Sequence, residues 1–448
     1  MASSNHSVPP GPHGLELLRL MFGISRDPLG LFERMARAYG DVVQLPFPFR
    51  TRVLVGHPDL IEQVLVIQQH RFHKSTFAKQ AIEPLLGRGL LLSEGDFWRR
   101  QRRLAQPAFH RARVNEYAGT MVEQALTHIG TWRSGETRDL ADEMMLLTLA
   151  ITVKTLFGAE VDAEANRVGE SLSYLMRYQI GRVRAAIRLP ETWLTKGKRR
   201  ADAEYQYLDS LVYRIIAERR ASGVLGRDVL SLLMGAMDED GSQMTPRQLR
   251  DESMTLFLAG HETTALTLSW TWYLLSQNAA AEARLHEELA QALGGRAPQV
   301  EDIPRLPYLD AVIREALRLY PPAYILSRTA IEPFELGGYA FPRDVTVLML
   351  PWIMHRQARY FDEPELFRPE RWLDGLAERL PAYAYFPFGG GPRRCIGQGF
   401  ALMEAALLVG VIAQRFRFRL VPGHPVVPEP LITLRAKHGI RMEIEARP

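Results

Sequence analysis

The stretch FPFGGGPRRCIGQGFALMEA, residues 386–405, constrains this chain more than any other. It holds the only cysteine in 448 residues. Gly389, Gly390, Gly391 and Pro392 break regular structure ahead of Cys395, so the thiol falls on a loop. Helical periodicity resumes directly after it, so the thiol sits just before a helix N-terminus. Backbone N–H groups and the helix dipole favour an anion there, and both lower a cysteine pKa. Arg393 and Arg394 push the same way. The loop is built for a thiolate.

A thiolate serves as nucleophile or as metal ligand. A nucleophile needs a base; His355 and His438 are available, but sequence alone does not place them. A ligand at a lone cysteine needs a metal whose other bonds come from elsewhere, a condition that haem iron meets. One cysteine also excludes an intrachain disulfide framework and a multi-cysteine zinc site, and points to a reducing compartment. A cytoplasmic location is expected. Formal charge is only +4, too small for nucleic-acid binding unless clustered.

With 46% hydrophobic and 24% charged residues, the chain can bury a large core. The opening MASSNHSVPPGPHG lacks the basic and apolar regions of a secretory signal, and residues 1–13 read as a disordered lead. Residues 254–275 are long enough to span a bilayer. His261 and Glu262 in their middle make a buried helix the better reading.

A first helix is expected in RDPLGLFERMARAYG, capped by Asp27 and ended by Gly40. DVVQLPF and TRVLVG read as a hairpin. Residues 97–320 are mostly helical in pattern. Residues 324–348 and 415–446 read as short strands and turns. The expectation is a mainly α fold with a smaller β-rich portion, as a single domain over 14–448.

The segment FGGGPRRCIG resembles the haem-binding loop of the cytochrome P450 family, F-x-x-G-x-R-x-C-x-G. Phe388, Gly391, Arg393, Cys395 and Gly397 supply the fixed positions. The resemblance implies haem b (iron protoporphyrin IX) with Cys395 as axial thiolate ligand. Phe388 would shield the sulfur, Gly391 permit the tight turn, Gly397 admit close backbone approach and Arg393 pair with a propionate. It also implies the family fold, with a long central helix over the haem.

Three further segments carry the resemblance. AGHETT (259–264) lies in a helix with a capping box at Thr245, Pro246 and Gln248. Gly260, Thr263 and Thr264 are poor mid-helix residues, and a local kink is expected there. The family places an acid–alcohol pair at Glu262 and Thr263, which would deliver protons to bound dioxygen. In EALRLYPP and FRPERW, Glu315, Arg318 and Arg371 would form a buried structural ion network. Trp372 stands where the family usually has Phe. In FWRRQRR, Trp98 and Arg102 would meet the propionates, joined by Arg328.

The implied activity is that of a haem-thiolate monooxygenase, an oxidoreductase acting on paired donors with incorporation of molecular oxygen. It would hydroxylate an apolar substrate such as a fatty acid, terpenoid or steroid-like molecule. Phe257, Ala259, Gly260, Ala323, Ile325 and Ile432 are the expected pocket residues. No flavin or nicotinamide portion is present, so electrons are expected from a ferredoxin or flavodoxin with its NAD(P)H reductase. Residues 98–113 hold six arginines and no acid, a plausible docking face for an acidic partner. Residues 182–200 are also basic and read as a solvated helix face. No membrane anchor and no nucleic-acid partner are expected. Two rival readings share the fold: a peroxide-dependent peroxygenase or isomerase, and a non-enzymatic haem sensor. The Glu262–Thr263 pair favours dioxygen chemistry over both.

Overall fold

Capping residues start the helices where the sequence places them. Asp27 Oδ1 accepts from Gly30 N at 2.9 Å, with Pro28 in the first turn, and helix α1 (Pro28–Tyr39) ends at Gly40 with φ 89°. The computed structural model describes residues 8–14, 16–17, 23, 27–47, 50–158, 164–184 and 195–447. The helices that matter below are α2 (Gly95–Ala105), α3 (Ala118–Ile129), α4 (Leu140–Phe157), α5 (Glu164–Arg184), α6 (Pro246–Ser276) and α7 (Gln398–Ala413). In chain order the strands are β1 (Val42–Phe47), β2 (Arg50–Val55), β3 (Phe72–Lys74), β4 (Thr137–Asp139), β5 (Leu326–Ala330), β6 (Phe334–Leu336), β7 (Tyr339–Phe341), β8 (Thr346–Met349), β9 (Phe416–Leu420), β10 (Pro428–Pro430), β11 (Leu434–Ala436) and β12 (Arg441–Ala446).

The fold is mainly α with a smaller β portion, as expected. Its residues group into two compact units. The first holds Met1–Lys79, Leu317–Phe367 and Asp374–Cys395. Its sheet runs β1-β2-β8-β5-β3. The expected hairpin pairs Val43 with Leu54; β2 and β8 then run parallel, with Val53 opposite Val347, and β5 returns antiparallel. Val53, Val55, Val347, Met349, Phe72 and Ala330 bury one face and gather Phe386 from the cysteine segment into the same core. The β8 side chains are buried on both faces, as a central strand requires.

The second unit holds Gln80–Ala316, Arg368–Leu373 and Ile396–Pro448. Helix α6 is its axis and packs on α4 and α7, while α3 packs on α7. From Met403 to Ala413 every residue of α7 is buried, the pattern of a helix surrounded by protein. Strands β4-β12-β9 close the unit, and in β12 Met442 and Ile444 alternate inward between exposed Arg441 and Glu443. The apolar 254–275 stretch is the middle of α6; among the described residues no helix is long and apolar enough to cross a membrane.

Two expectations change. The lead is not disordered over 8–13: Pro10 O accepts from Gln44 N at 2.8 Å, and Pro9, Gly11 and Pro12 are buried. Proline fixes an extended backbone that can still offer its carbonyl to a strand edge. Residues 1–7 lie outside the described residues. The helical run from 97 to 320 is also interrupted by β4. The basic 182–200 segment is described only up to 184, within α5, and from 195 onward.

The capping box at the head of α6 is complete. Gln248 N donates to Thr245 Oγ1 at 3.2 Å and Thr245 N to Gln248 Oε1 at 2.8 Å. Thr245→Ala should therefore lower stability by about 1 kcal/mol, read as a lower urea midpoint with an unchanged m-value.

Candidate functional site

The cysteine loop is held by its own backbone. Gly389 N donates to Phe386 O and Arg394 N to Gly391 O, and Cys395 N closes the loop onto Phe388 O at 3.0 Å. Gly391 has φ 63°, and a Cβ there would overlap the Leu65 carbonyl oxygen. Only glycine satisfies both conditions. The neighbouring chain, Gln63–Ile67, is a π-helical turn packed against Gly391–Arg393. Behind the loop, Phe386 N donates to Nε2 of the fully buried His355 at 3.0 Å. Burial holds that imidazole well below its usual pKa, so it is a neutral acceptor. One of the two bases considered for Cys395 is thus committed to the backbone of the loop. Cys395 itself is exposed, Arg393 and Phe388 are half-buried, and Gly397 precedes the first residue of α7.

The donor set suits a haem iron. A soft thiolate on a fixed backbone, with its side chain uncovered, can offer one axial bond. Arg328, also in this unit, is buried on β5, with Nη1 donating to Ser327 O at 3.0 Å. Ala323 and Ile325, just ahead of β5, are half-buried.

In the second unit, α6 is buried along most of its length and, beyond its exposed first turn, is uncovered around Ala259. Ala259 is exposed and Gly260 and Thr263 are half-buried, while Leu258, His261, Glu262 and Thr264 around them are buried. Small side chains there leave room for a flat ligand. Thr263 Oγ1 donates to Ala259 O at 2.7 Å, the expected back-bond, yet the helix runs unbroken through Pro246–Ser276. Phe257, an expected pocket residue, is buried, with its ring against Phe157 and His261. Ile432 is half-buried in the turn between β10 and β11.

Glu262 has a partner the sequence did not suggest. Its Oε1 accepts from Thr433 Oγ1 at 2.7 Å and from Arg435 Nε at 2.7 Å, with Arg435 Nη2 at 2.6 Å. The guanidinium also reaches Met176 Sδ of α5 at 3.3 Å. A signal did exist: Thr433 and Arg435 are two apart, on one face of an extended segment.

Trp98 and Arg102 lie four residues apart on α2, both half-buried. They border an open recess of about 420 Å³ with Arg99, Arg103, Gln106, Pro107 and His110. Arg102 Nε donates to Gln106 Oε1 at 3.1 Å. The all-basic docking face is corrected by pairing with acids elsewhere in the sequence. Arg100 and Arg103 both bind Asp238, Arg99 binds Asp96, and Arg113 binds Glu116.

Of the expected ion network, Glu315 and Arg371 meet directly. Glu315 Oε1 accepts from Arg371 Nε at 3.0 Å and from Arg368 N at 3.0 Å, and Oε2 accepts from Trp372 Nε1 at 2.8 Å. The tryptophan that departs from the family pattern thus adds a donor. Arg318, in the first unit, donates to the carbonyls of His355, Pro364 and Leu366 at 2.8, 2.6 and 3.0 Å.

Two buried groups escaped the sequence reading. His261 is fully buried with both ring nitrogens unbonded, and desolvation holds its pKa down at about 3. Glu404 of α7 is also fully buried, with neither oxygen hydrogen-bonded. Burial pushes its carboxyl up to about 8 against a small opposing contribution from the Thr264 hydroxyl.

Comparison with known proteins accords with this arrangement. The sequence model of the cytochrome P450 family matches residues 9–440. Cyclooctatin synthase of Streptomyces melanosporofaciens is 40% identical over 96% of this chain and 94% of its own length. Cyclooctat-9-en-7-ol 5-monooxygenase of the same organism is 36% identical over 92% of this chain and 90% of its own. Pentalenene oxygenase of Streptomyces avermitilis is 30% identical over 99% of both.

Removing the Glu315 carboxylate leaves Arg371 buried without its counter-charge. Glu315→Ala should cost about 3–5 kcal/mol, seen as a collapse of folded yield and of the urea midpoint. Glu404 predicts a pH effect. Its folded pKa lies above the ordinary value of 4.5, so the unfolded chain ionises first as pH rises. Stability is then lost between about pH 4.5 and 8. Glu404→Gln should flatten that decline in unfolding curves across the same window.

Proposed function

The chain belongs to the cytochrome P450 family, and from that premise we propose that it hydroxylates a cyclic terpenoid hydrocarbon or alcohol. The family's cofactor is haem, and the enzyme is a monooxygenase: one atom of dioxygen enters the substrate and the other leaves as water, with two electrons and two protons consumed. Haem supplies dioxygen binding and reductive O–O cleavage, which electron donation from a thiolate favours. The rest is the work of the protein's own side chains.

Cys395 would hold the iron through its sulfur. Phe388 would keep water from that sulfur, and Arg393, Arg328, Trp98 and Arg102 would be the residues available to the propionates. Thr263 holds a proton at Oγ1. Because its O–H is turned to Ala259 O, its lone pairs remain able to accept and order a water. Glu262 is the acid behind it, held ready by Thr433 and Arg435. To relay a proton, its carboxylate must turn from the guanidinium, take a proton up from solvent and pass it to the water ordered by Thr263.

The observation that carries the substrate class is the uncovered Ala259–Gly260–Thr263 face, apolar except for one hydroxyl. The other proposed pocket residues, Ala323, Ile325 and Ile432, carry no charge either. A rigid hydrocarbon ring system suits such a lining, because it loses little conformational entropy on binding. The names of the three relatives agree: one is a 5-monooxygenase of cyclooctat-9-en-7-ol and one an oxygenase of pentalenene. Bacterial monooxygenases of this family draw electrons from redox partners. We assign that role here to a ferredoxin or flavodoxin with its NAD(P)H reductase, acting in the cytoplasm. Since four of the six arginines between 98 and 113 are neutralised by intramolecular acids, charge steering of that partner will be modest.

Spectral titration tests the substrate class. Polycyclic terpene hydrocarbons and alcohols should drive the haem from low to high spin, while straight-chain fatty acids and steroids should not. A shift confined to fatty acids would refute the terpenoid reading. For the reaction class, Thr263→Ala should cut product formation with reduced ferredoxin on the order of 10²-fold, with the electrons appearing as hydrogen peroxide. Retained turnover with peroxide but none with ferredoxin in the wild type would instead identify a peroxygenase.

A further inference from the structure

Tyr383, outside every motif considered above, has an unusual backbone. Its φ is 65°, in the left-handed region that glycine and asparagine tolerate and a bulky aromatic does not. Strain of this kind persists only where the surroundings over-determine it. Three contacts do so here, all inside one compact unit. The Tyr383 hydroxyl accepts from Gly391 N at 3.2 Å. The ring lies flush against Gly390, where a Cβ would overlap its Cε1 edge. Its other side stands against Phe386, with centroids 6.1 Å apart and planes inclined by 64°, and packs on the core under the sheet.

These contacts explain why two glycines in succession are needed before the cysteine. Gly391 yields to the Leu65 carbonyl, and Gly390 yields to the Tyr383 ring. The path from that ring to the sulfur is short. Gly391 O accepts from Arg394 N at 3.1 Å, and the next residue, Cys395, bonds back to Phe388 at 3.0 Å. His355 anchors the loop at Phe386 and Tyr383 anchors it at Gly391, so the turn between is fixed at both ends.

We infer that Tyr383 is a positioning residue for the Cys395 thiolate, its hydroxyl and ring fixing the Gly390–Gly391 turn that aims the sulfur. The strained backbone is what brings the hydroxyl under Gly391 N. This rests on Cys395 being the axial ligand of the haem.

The test uses Tyr383→Phe, which keeps the ring and removes only the acceptor. Haem-loaded protein is reduced, exposed to carbon monoxide and warmed mildly. Two signals are followed together: the far-red Soret band of thiolate ligation, and helix content by far-ultraviolet circular dichroism. Loss of one backbone hydrogen bond should hasten decay of the far-red band by about five-fold, while the helical unfolding midpoint stays at the wild-type value. Equal decay in both proteins overturns the inference. So does a parallel shift of band and helicity, which marks Tyr383 as ordinary packing. A wild-type protein without the far-red band would overturn the ligand assignment itself, and is thereby distinguished from failure of the role of Tyr383.

Discussion

A thiolate can serve as a lasting metal ligand only if its backbone is immobile while its sulfur stays uncovered. The first requirement needs hydrogen bonds and packing, and the second forbids packing over the side chain. Here the conflict is resolved by bracing the loop from behind. The Cys395 N–H is spent on Phe388 O, Gly391 turns under the Leu65 carbonyl, and Phe386 is drawn into the core beneath the sheet. A neutral, buried His355 takes the Phe386 N–H. Tightening the loop this way leaves Cys395 exposed and available.

The second unit shows three solutions to one problem, a carboxylate in a protein interior. Glu315 is fully paired, with three donors on its two oxygens. Glu262 is paired too, but through one oxygen and two partners from a single short segment. Glu404 has no hydrogen-bond partner and instead keeps its proton, its pKa pushed up to about 8 by burial. All three are buried; what differs is the number of donors that each meets.

Sequence patterning read the basic stretch at 98–113 too generously. The stretch itself holds no acid and so looks like a free cationic face, although Asp96 and Glu116 beside it pair with Arg99 and Arg113. Asp238 lies far along the chain and folds back to take two further arginines. Charge pairing is a property of the surface in three dimensions, and local composition does not report it. On a helix buried nearly all round, such as the one that carries Phe257, apolarity does not say which side faces a ligand.

Local chemistry fixed much of this protein in advance. The cap at Asp27, the capping box at Thr245 and Gln248, the hairpin at 42–55 and the placement of Cys395 on a loop ahead of a helix all depend on neighbours within a few residues. The sequence also carried a family pattern specific enough to name the cofactor. What it could not hold were contacts between distant segments. Arg435 on Glu262, Trp372 on Glu315 and Leu65 under Gly391 each join segments whose approach depends on the whole core. So do the buried states of His261 and Glu404, because desolvation is set by what packs around a group and not by what precedes it in the chain.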